Sequence, residues 1–289
     1  MRDDTAAPWS GLDRQALEYQ FNPRVSVPDF ARDDERRAPL NDAALAGLHA
    51  HRDLAYGDHP LRRVDVYPAA APADGGLAPV HIFLHGGYWR ALDRKKFAFI
   101  AGALVPRGIT TVIADYELCP ASTLDQVVDS ALAGFAWICG NIENYGGDPA
   151  RISISGHSAG AHLAAAILAE DWAARGQPQA SLVAATLVSG VFDPTPAMHT
   201  SINQDLRLDA QTAARHNLEA RIPRMACPIS IVAGGREPAH WIDMSLRYGR
   251  NLQNAGLDPA IHVLPGCHHF NILDQYLDAA SVVGRSIPG

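Results

Sequence analysis

The chain has 289 residues, 47% of them hydrophobic, enough for one large α/β domain around a buried sheet. Its net charge of -7, from 24 Lys+Arg against 31 Asp+Glu, forms no basic stripe of the kind a phosphate backbone requires, which argues against nucleic acid as a partner. No apolar run approaches the roughly 18 residues of a membrane span, and the start, Met1-Arg2-Asp3-Asp4-Thr5, is charged rather than basic and then apolar, so a cytoplasmic protein away from membranes is expected.

Residues 1 to about 55 lack the strand-helix alternation of the rest of the chain and read as a leader packing over the outside of the core. Within it, Leu12 to Gln20 predicts a short helix. Asn22 to Pro28 predicts an extended crossing, because proline and its predecessor are biased away from the α region. After a charged run from Arg32 to Arg37, Asn41 or Asp42 is placed to cap a helix through about His51.

From Arg62 the alternation begins. Val64 to Tyr67 alternates like a half-exposed strand, 69–79 is a surface loop, and Val80 to Leu84 is a buried strand. A helix with Phe97, Ile100, Ala101 and Leu104 on one face comes next, ending near Gly108, and Ile109 to Ala114 is another apolar strand. Leu124, Val127, Val128, Ala131, Leu132, Phe135 and Ile138 mark the clearest amphipathic helix. Ile152 to Ser155 is a strand, then comes an Ala-rich helix to about Glu170, and further strands are expected at Leu182 to Val188, Ile229 to Ala233 and Ile261 to Leu264. Phe192 to Pro228, polar and proline-punctuated with a helix expected at Ala210 to Ala220, is a candidate lid. Buried strands alternating with helices predict a single α/β domain with a mostly parallel central sheet and helices on both faces.

Between the Ile152 strand and its helix lies Gly156-His157-Ser158-Ala159-Gly160, a G-x-S-x-G turn that sets its serine on a sharp bend. Ser158 is the candidate nucleophile. A hydrolytic serine needs a base, a group that orients the base, and donors for the oxyanion. His85-Gly86-Gly87, after a buried strand, offers the backbone N–H of Gly87, with that of Gly86 or Tyr88, to combine with that of Ala159. In Gly234-Gly235-Arg236-Glu237-Pro238, after the penultimate strand, Glu237 is the first choice of acid, with Asp243 and Asp193 as fallbacks. The base is His268 or His269, after the last strand. Tyr88, Trp89, Trp241 and Phe270 are available for an aromatic substrate pocket, although Trp241 reads equally as a core residue. Arg90 or Arg236 is a candidate partner for a charged substrate group.

Cys119, Cys139, Cys227 and Cys267 form no C-x-x-C pair and are expected as buried free thiols. The histidines, of which His49/His51 and His268/His269 are the closest pairs, form no H-E-x-x-H, and no metal is expected.

His85-Gly86-Gly87-Tyr88-Trp89 resembles the HGGYW signature of kynurenine formamidases (arylformamidases), an α/β-hydrolase family. Tyr116-Glu117-Leu118-Cys119-Pro120, Gly147-Asp148-Pro149 with Arg151 ahead of the serine turn, and Tyr19 with Asn22-Pro23-Arg24 are similar to that family as well. The resemblance implies the α/β-hydrolase fold, Ser158 as nucleophile, and His269 as base because an aromatic, Phe270, comes directly after it. Glu237 stands where the family commonly has aspartate. The resemblance further implies cleavage of an N-formyl aromatic amine, typically N-formylkynurenine, to formate and the amine, with a small-molecule substrate and no cofactor; a homodimer is compatible with it. Related esterases share this frame, so a small-acyl carboxylesterase, or another amidase such as a lactamase, is the alternative.

Overall fold

The computed structural model describes residues 7–73, 75–176 and 182–289; the charged start at 1–5 and one position of the 69–79 loop lie outside them. In chain order the helices and strands are α1 (Arg14–Phe21), α2 (Pro23–Ser26), α3 (Ala31–Gly47), β1 (His51–Ala55), β2 (Arg63–Tyr67), β3 (Ala78–Leu84), α4 (Ala98–Leu104), β4 (Thr110–Ala114), α5 (Leu124–Asn141), β5 (Gly147–His157), α6 (Ala159–Ala169), β6 (Leu182–Val188), α7 (Asn203–Leu206), α8 (Ala210–Arg215), β7 (Ile229–Gly234), α9 (Ala239–Asn254), β8 (Ala260–Leu264) and α10 (Val282–Ser286).

Among the described residues, eight strands form one sheet in the order β1-β2-β4-β3-β5-β6-β7-β8, antiparallel at β1/β2 and β2/β4 and parallel from β4 onward. Each of the seven strands expected from the sequence is present. The central strands β3 and β4 are buried along their whole length, which is why they read as continuous apolar runs. Their side chains divide between two cores, Val80, Ile82 and Leu84 packing on one face and Phe83 with Ile113 on the other. Truncating such a side chain, Phe83→Ala for instance, removes roughly 3–5 kcal/mol.

Helix α5 begins in a capping box in which the Thr123 side chain and Gln126 satisfy each other's backbone N–H groups. Losing that cap costs about 1 kcal/mol. Its Leu124, Val127, Ala131, Phe135 and Ile138 face the core, as their spacing requires.

The leader departs from the sequence expectation at two places. Asn22 to Pro28 is not an extended crossing: Asn22 caps Arg24 N–H at 3.2 Å and Pro23 takes the first helical position, where its missing N–H is harmless, so α2 forms. Helix α3 begins about ten residues before Asn41 and ends at Gly47, so His51 starts β1 instead of ending a helix. Downstream, α8 stops at Arg215, short of Ala220, because the chain turns to give Leu218 N–H to the carbonyl of Phe192 at 2.8 Å.

The cysteines are free, Cys119 buried and the others half-buried; burial raises the Cys119 thiol to about 11. No described helix is long and apolar enough to cross a membrane. Among the described residues, no group of three or more His, Cys, Asp or Glu side chains is placed to hold a metal ion.

Candidate active site

Ser158 sits between β5 and α6 with φ 57° and ψ -118°, a backbone conformation that costs a non-glycine residue roughly 1–3 kcal/mol. The bend is held by Ser158 N–H donating to Val188 O at 2.8 Å. It needs the flanking glycines, because a Cβ on Gly156 would lie 2.2 Å from the Gly160 backbone and one on Gly160 would lie 2.0 Å from the Leu84 carbonyl oxygen. The strand-to-helix turn therefore packs directly on β3, beside the loop that leaves it.

That loop is His85-Gly86-Gly87. The His85 ring stacks between Tyr116 (centroids 4.4 Å apart) and Phe97 (5.7 Å), and Tyr116 Oη donates to the His85 carbonyl at 2.6 Å. His85 Nε2 lies 3.4 Å from Asp115 Oδ1. Burial pushes the Asp115 carboxyl upward, but His85 and Arg94 outweigh it and hold it below the ordinary carboxylate range. Arg94 also donates to Asp65 at 2.8 Å and pairs with Asp53. The loop is pinned from behind. Gly87 has φ +115°, and a Cβ there would lie 2.1 Å from the Ala91 carbonyl oxygen, so no other residue fits.

Among the described residues, no carbonyl accepts from the backbone N–H groups of Gly86, Gly87 or Ala159. Ala159 is the first residue of α6, whose leading N–H groups have no partner within the helix. A Cβ on Gly86 would come within 3.3 Å of Ser158 Cβ, so the loop and the serine turn touch. Gly86 and Gly87 line the same cavity as Ser158, and Ala159 follows the serine directly in the chain.

Glu237 comes just after β7 and is buried. Its Oε1 lies 2.6 Å from His269 Nδ1, while its Oε2 accepts from Gly234 N–H at 2.7 Å and Ser189 Oγ at 2.9 Å. A carboxylate only accepts, so His269 Nδ1 carries the proton and, in the neutral ring, Nε2 presents its lone pair. The fallback acids are elsewhere: Asp243 pairs with Arg247 and Arg250 on α9, and Asp193 accepts from Thr195 N–H at 2.9 Å. Neither contacts His269. Of the two histidines, His268 is engaged in its own turn, its N–H donating to Asn271 Oδ1 at 2.6 Å.

Ser158 and His269 line one cavity of about 260 Å³, together with Gly86, Gly87, Tyr88 and Phe270. Its outer wall comes from the leader: Pro23, Arg24, Phe30, Asp34, Arg37, Ala38, Asn41 and Asp42 all line it. No residue of the 192–228 segment does, and that segment instead buries Phe192, Ile202, Leu206 and Leu218 in the core. Trp89 and Trp241 are fully buried. Trp89 packs on His162 outside the cavity, and Trp241 lies edge-on to His269 at 4.8 Å, its indole N–H donating to the Ser189 carbonyl. Arg90 pairs with Asp205, and neither it nor Arg236 reaches the cavity. The cations and anions on the wall that have no ion-pair partner among the described residues are Arg24, Lys96 and Asp42, none of which the sequence reading singled out as a binding residue.

A family model described as the α/β hydrolase fold matches residues 81–272. The kynurenine formamidase of Danio rerio is 28% identical over 283 residues, covering 93% of this chain and 94% of that protein. The isoprenylcysteine α-carbonyl methylesterase of Arabidopsis thaliana is 40% identical over 121 residues, covering 41% of this chain and 27% of that protein. Among solved structures, an esterase of Pyrobaculum calidifontis aligns with a TM-score of 0.71 at 19% identity, covering 95% of this chain and 96% of that one, a likeness of fold.

Proposed function

The chain belongs to the α/β-hydrolase-fold family as a kynurenine-formamidase-like hydrolase, and on that premise we propose that it cleaves a small N-acyl arylamide, N-formylkynurenine being the leading candidate, through an acyl-enzyme on Ser158. The observation that carries this reading is the 2.6 Å contact between Glu237 and His269 on the cavity that Ser158 lines.

In the proposed reaction, Ser158 Oγ attacks the formyl carbon as His269 Nε2 takes its proton, and Glu237 stabilises the imidazolium that forms. The N–H groups of Gly86, Gly87 and Ala159 hold the oxyanion, each donor contributing roughly 3 kcal/mol to the transition state. His269 then passes its proton to the leaving nitrogen and the aryl amine departs. Water, deprotonated by the same histidine, releases formate and restores the serine. Every proton moves through His269 Nε2. Tyr88 and Phe270 supply aromatic wall for the leaving group, and Arg24, Lys96 and Asp42 supply charges that suit a zwitterionic side chain on it.

An ester substrate is the second reading, favoured by the likeness to the methylesterase, which is 40% identical over its 121-residue match. Purified protein tested on N-formylkynurenine, formanilide and p-nitrophenyl acetate separates the two. The proposal expects the formamides to have the higher kcat/KM; the reverse order favours the esterase, and activity that survives Ser158→Ala overturns both.

A further inference from the structure

Two successive carbonyls of the loop that carries the proposed base are held by side chains from distant parts of the chain. The His269 carbonyl lies 2.8 Å from His157 Nε2, and the Phe270 carbonyl accepts from Arg37 Nη1 at 3.0 Å. His157 is the residue before Ser158, whereas Arg37 is on α3, 233 positions from Phe270.

We propose that Arg37 and His157 are positioning residues for His269, so that the leader helix α3 and the serine turn together set where the base stands relative to the nucleophile. The proposal rests on the reading of His269 as the base.

A carbonyl oxygen can only accept, so His157 Nε2 carries the proton. Burial, with the His269 ring next to it, pushes the His157 pKa well below its ordinary value and keeps the ring neutral. Its Nδ1 faces the oxyanion loop, where a Cβ on Gly86 would lie 2.8 Å away. One imidazole therefore touches the loop that binds the oxyanion and the backbone of the base, and is covalently next to the nucleophile.

Arg37 is as firmly fixed. Its side chain is only 4% exposed, it pairs with Asp34 at 3.0 Å and Asp274 at 3.2 Å, and its guanidinium lies 5.8 Å from the Phe99 ring centroid. Those two carboxylates neutralise it, so its role is to present N–H groups in a fixed fork. Other contacts from α3 and its cap reinforce the grip: the Phe30 ring stacks on Phe270 at 5.0 Å, Asp33 lies 3.5 Å from His268 Nε2, and Arg36 reaches Asp274 at 2.6 Å. The 2.6 Å contact to Glu237 orients the ring, and the holds on the His269 and Phe270 carbonyls constrain the backbone that carries it. A displacement of about 1 Å at a reacting group can reduce rate on the order of 100-fold.

The test compares His157→Gln, which keeps a donor near the position of Nε2, with His157→Leu, and measures Arg37→Ala with and without added guanidinium. His269→Ala is run alongside. We expect His157→Leu and Arg37→Ala to lose about 30-fold or more in kcat with KM little changed, His157→Gln to retain most of the activity, and guanidinium to rescue only Arg37→Ala. Folded variants with unchanged kcat overturn the proposal. So does equal loss in His157→Gln and His157→Leu, or loss that tracks unfolding by circular dichroism with no guanidinium response. If His269→Ala keeps its activity, the reading of the base falls first, a result distinct from these.

Discussion

Glu237 and His269, 32 residues apart in sequence, meet through a 2.6 Å hydrogen bond in which the carboxylate is also anchored by Gly234 N–H and Ser189 Oγ. Both oxygens of Glu237 are thus committed, one to the imidazole and one to its own support. In the proposed mechanism Glu237→Gln keeps the shape but removes the charge that stabilises the imidazolium, and its amide competes to donate where the carboxylate accepts. We expect kcat to fall by on the order of 100- to 10,000-fold. Glu237→Asp is one methylene too short to keep all three bonds and should lie between the parent and Glu237→Gln. Asp243→Ala and Asp193→Ala should stay within about threefold of the parent, since neither side chain touches His269. Steady-state kinetics on the best substrate, with folding checked by circular dichroism, distinguish the three carboxylates.

The second expectation concerns the loop proposed to bind the oxyanion. Gly86→Ala introduces a Cβ at 2.8 Å from His157 Nδ1 and 3.3 Å from Ser158 Cβ, so the loop must retreat from the serine. Misplacing one donor should reduce kcat by on the order of 100- to 1,000-fold. Gly140→Ala is the matched control: the same change in helix α5, with nothing within 4 Å of the new methyl, should leave kcat alone and stabilise the helix by about 1 kcal/mol.

The strands and the serine turn were legible because their signals are local. Val80 to Leu84 is apolar because both sides of β3 are buried, and Gly156 and Gly160 are glycines because backbone stands where a Cβ would be. Chain order and the loop after β7 single out Glu237, and it is the carboxylate that contacts His269. The leader was not. Only Arg37 and Ala44 of α3 are buried, so the helix carries no apolar stripe, and Pro39 inside it argues locally for a break. Strand β1 sits at the sheet edge with Arg52 and Asp53 exposed, which removes the alternation that marks a half-buried strand. The leader's place on the cavity depends on pairs such as Arg37 with Phe270, which no short-range pattern records.

A third expectation comes from the charges at the cavity wall. Arg24 and Lys96 lack ion-pair partners among the described residues and are exposed, so each should contribute only a few tenths to about 1 kcal/mol toward a charged leaving group. Arg24→Gln and Lys96→Gln should each raise KM for N-formylkynurenine by about two- to fivefold and leave KM for uncharged formanilide unchanged. The difference should shrink in high salt, where exposed charges are screened. Equal effects on both substrates would mean that these residues shape the wall and do not read charge.

The last expectation concerns stability and pH. His81 is a buried residue of β3, with Nδ1 2.9 Å from Ser153 Oγ and Nε2 2.7 Å from Ser155 Oγ, and burial lowers its pKa to about 3. His162 on α6, with Nε2 2.9 Å from the His216 carbonyl, is likewise lowered to about 3 by burial. In the unfolded chain both take up a proton near pH 6.5. Below that pH the unfolded state binds protons the folded state refuses, so stability falls as pH drops from about 6.5 toward 3, by about 1.4 kcal/mol per pH unit for each histidine. Carboxylates held low in the fold, such as Asp115 and Glu117, add their own loss only below about pH 4. The melting temperature should therefore begin to fall near pH 6, well before carboxylates titrate. His162→Gln retains a donor for the His216 carbonyl and removes one titrating ring, so its decline between pH 6.5 and 5 should be shallower than the parent's. A melting temperature that stays flat down to pH 5 in the parent would show that these two rings accept protons inside the fold.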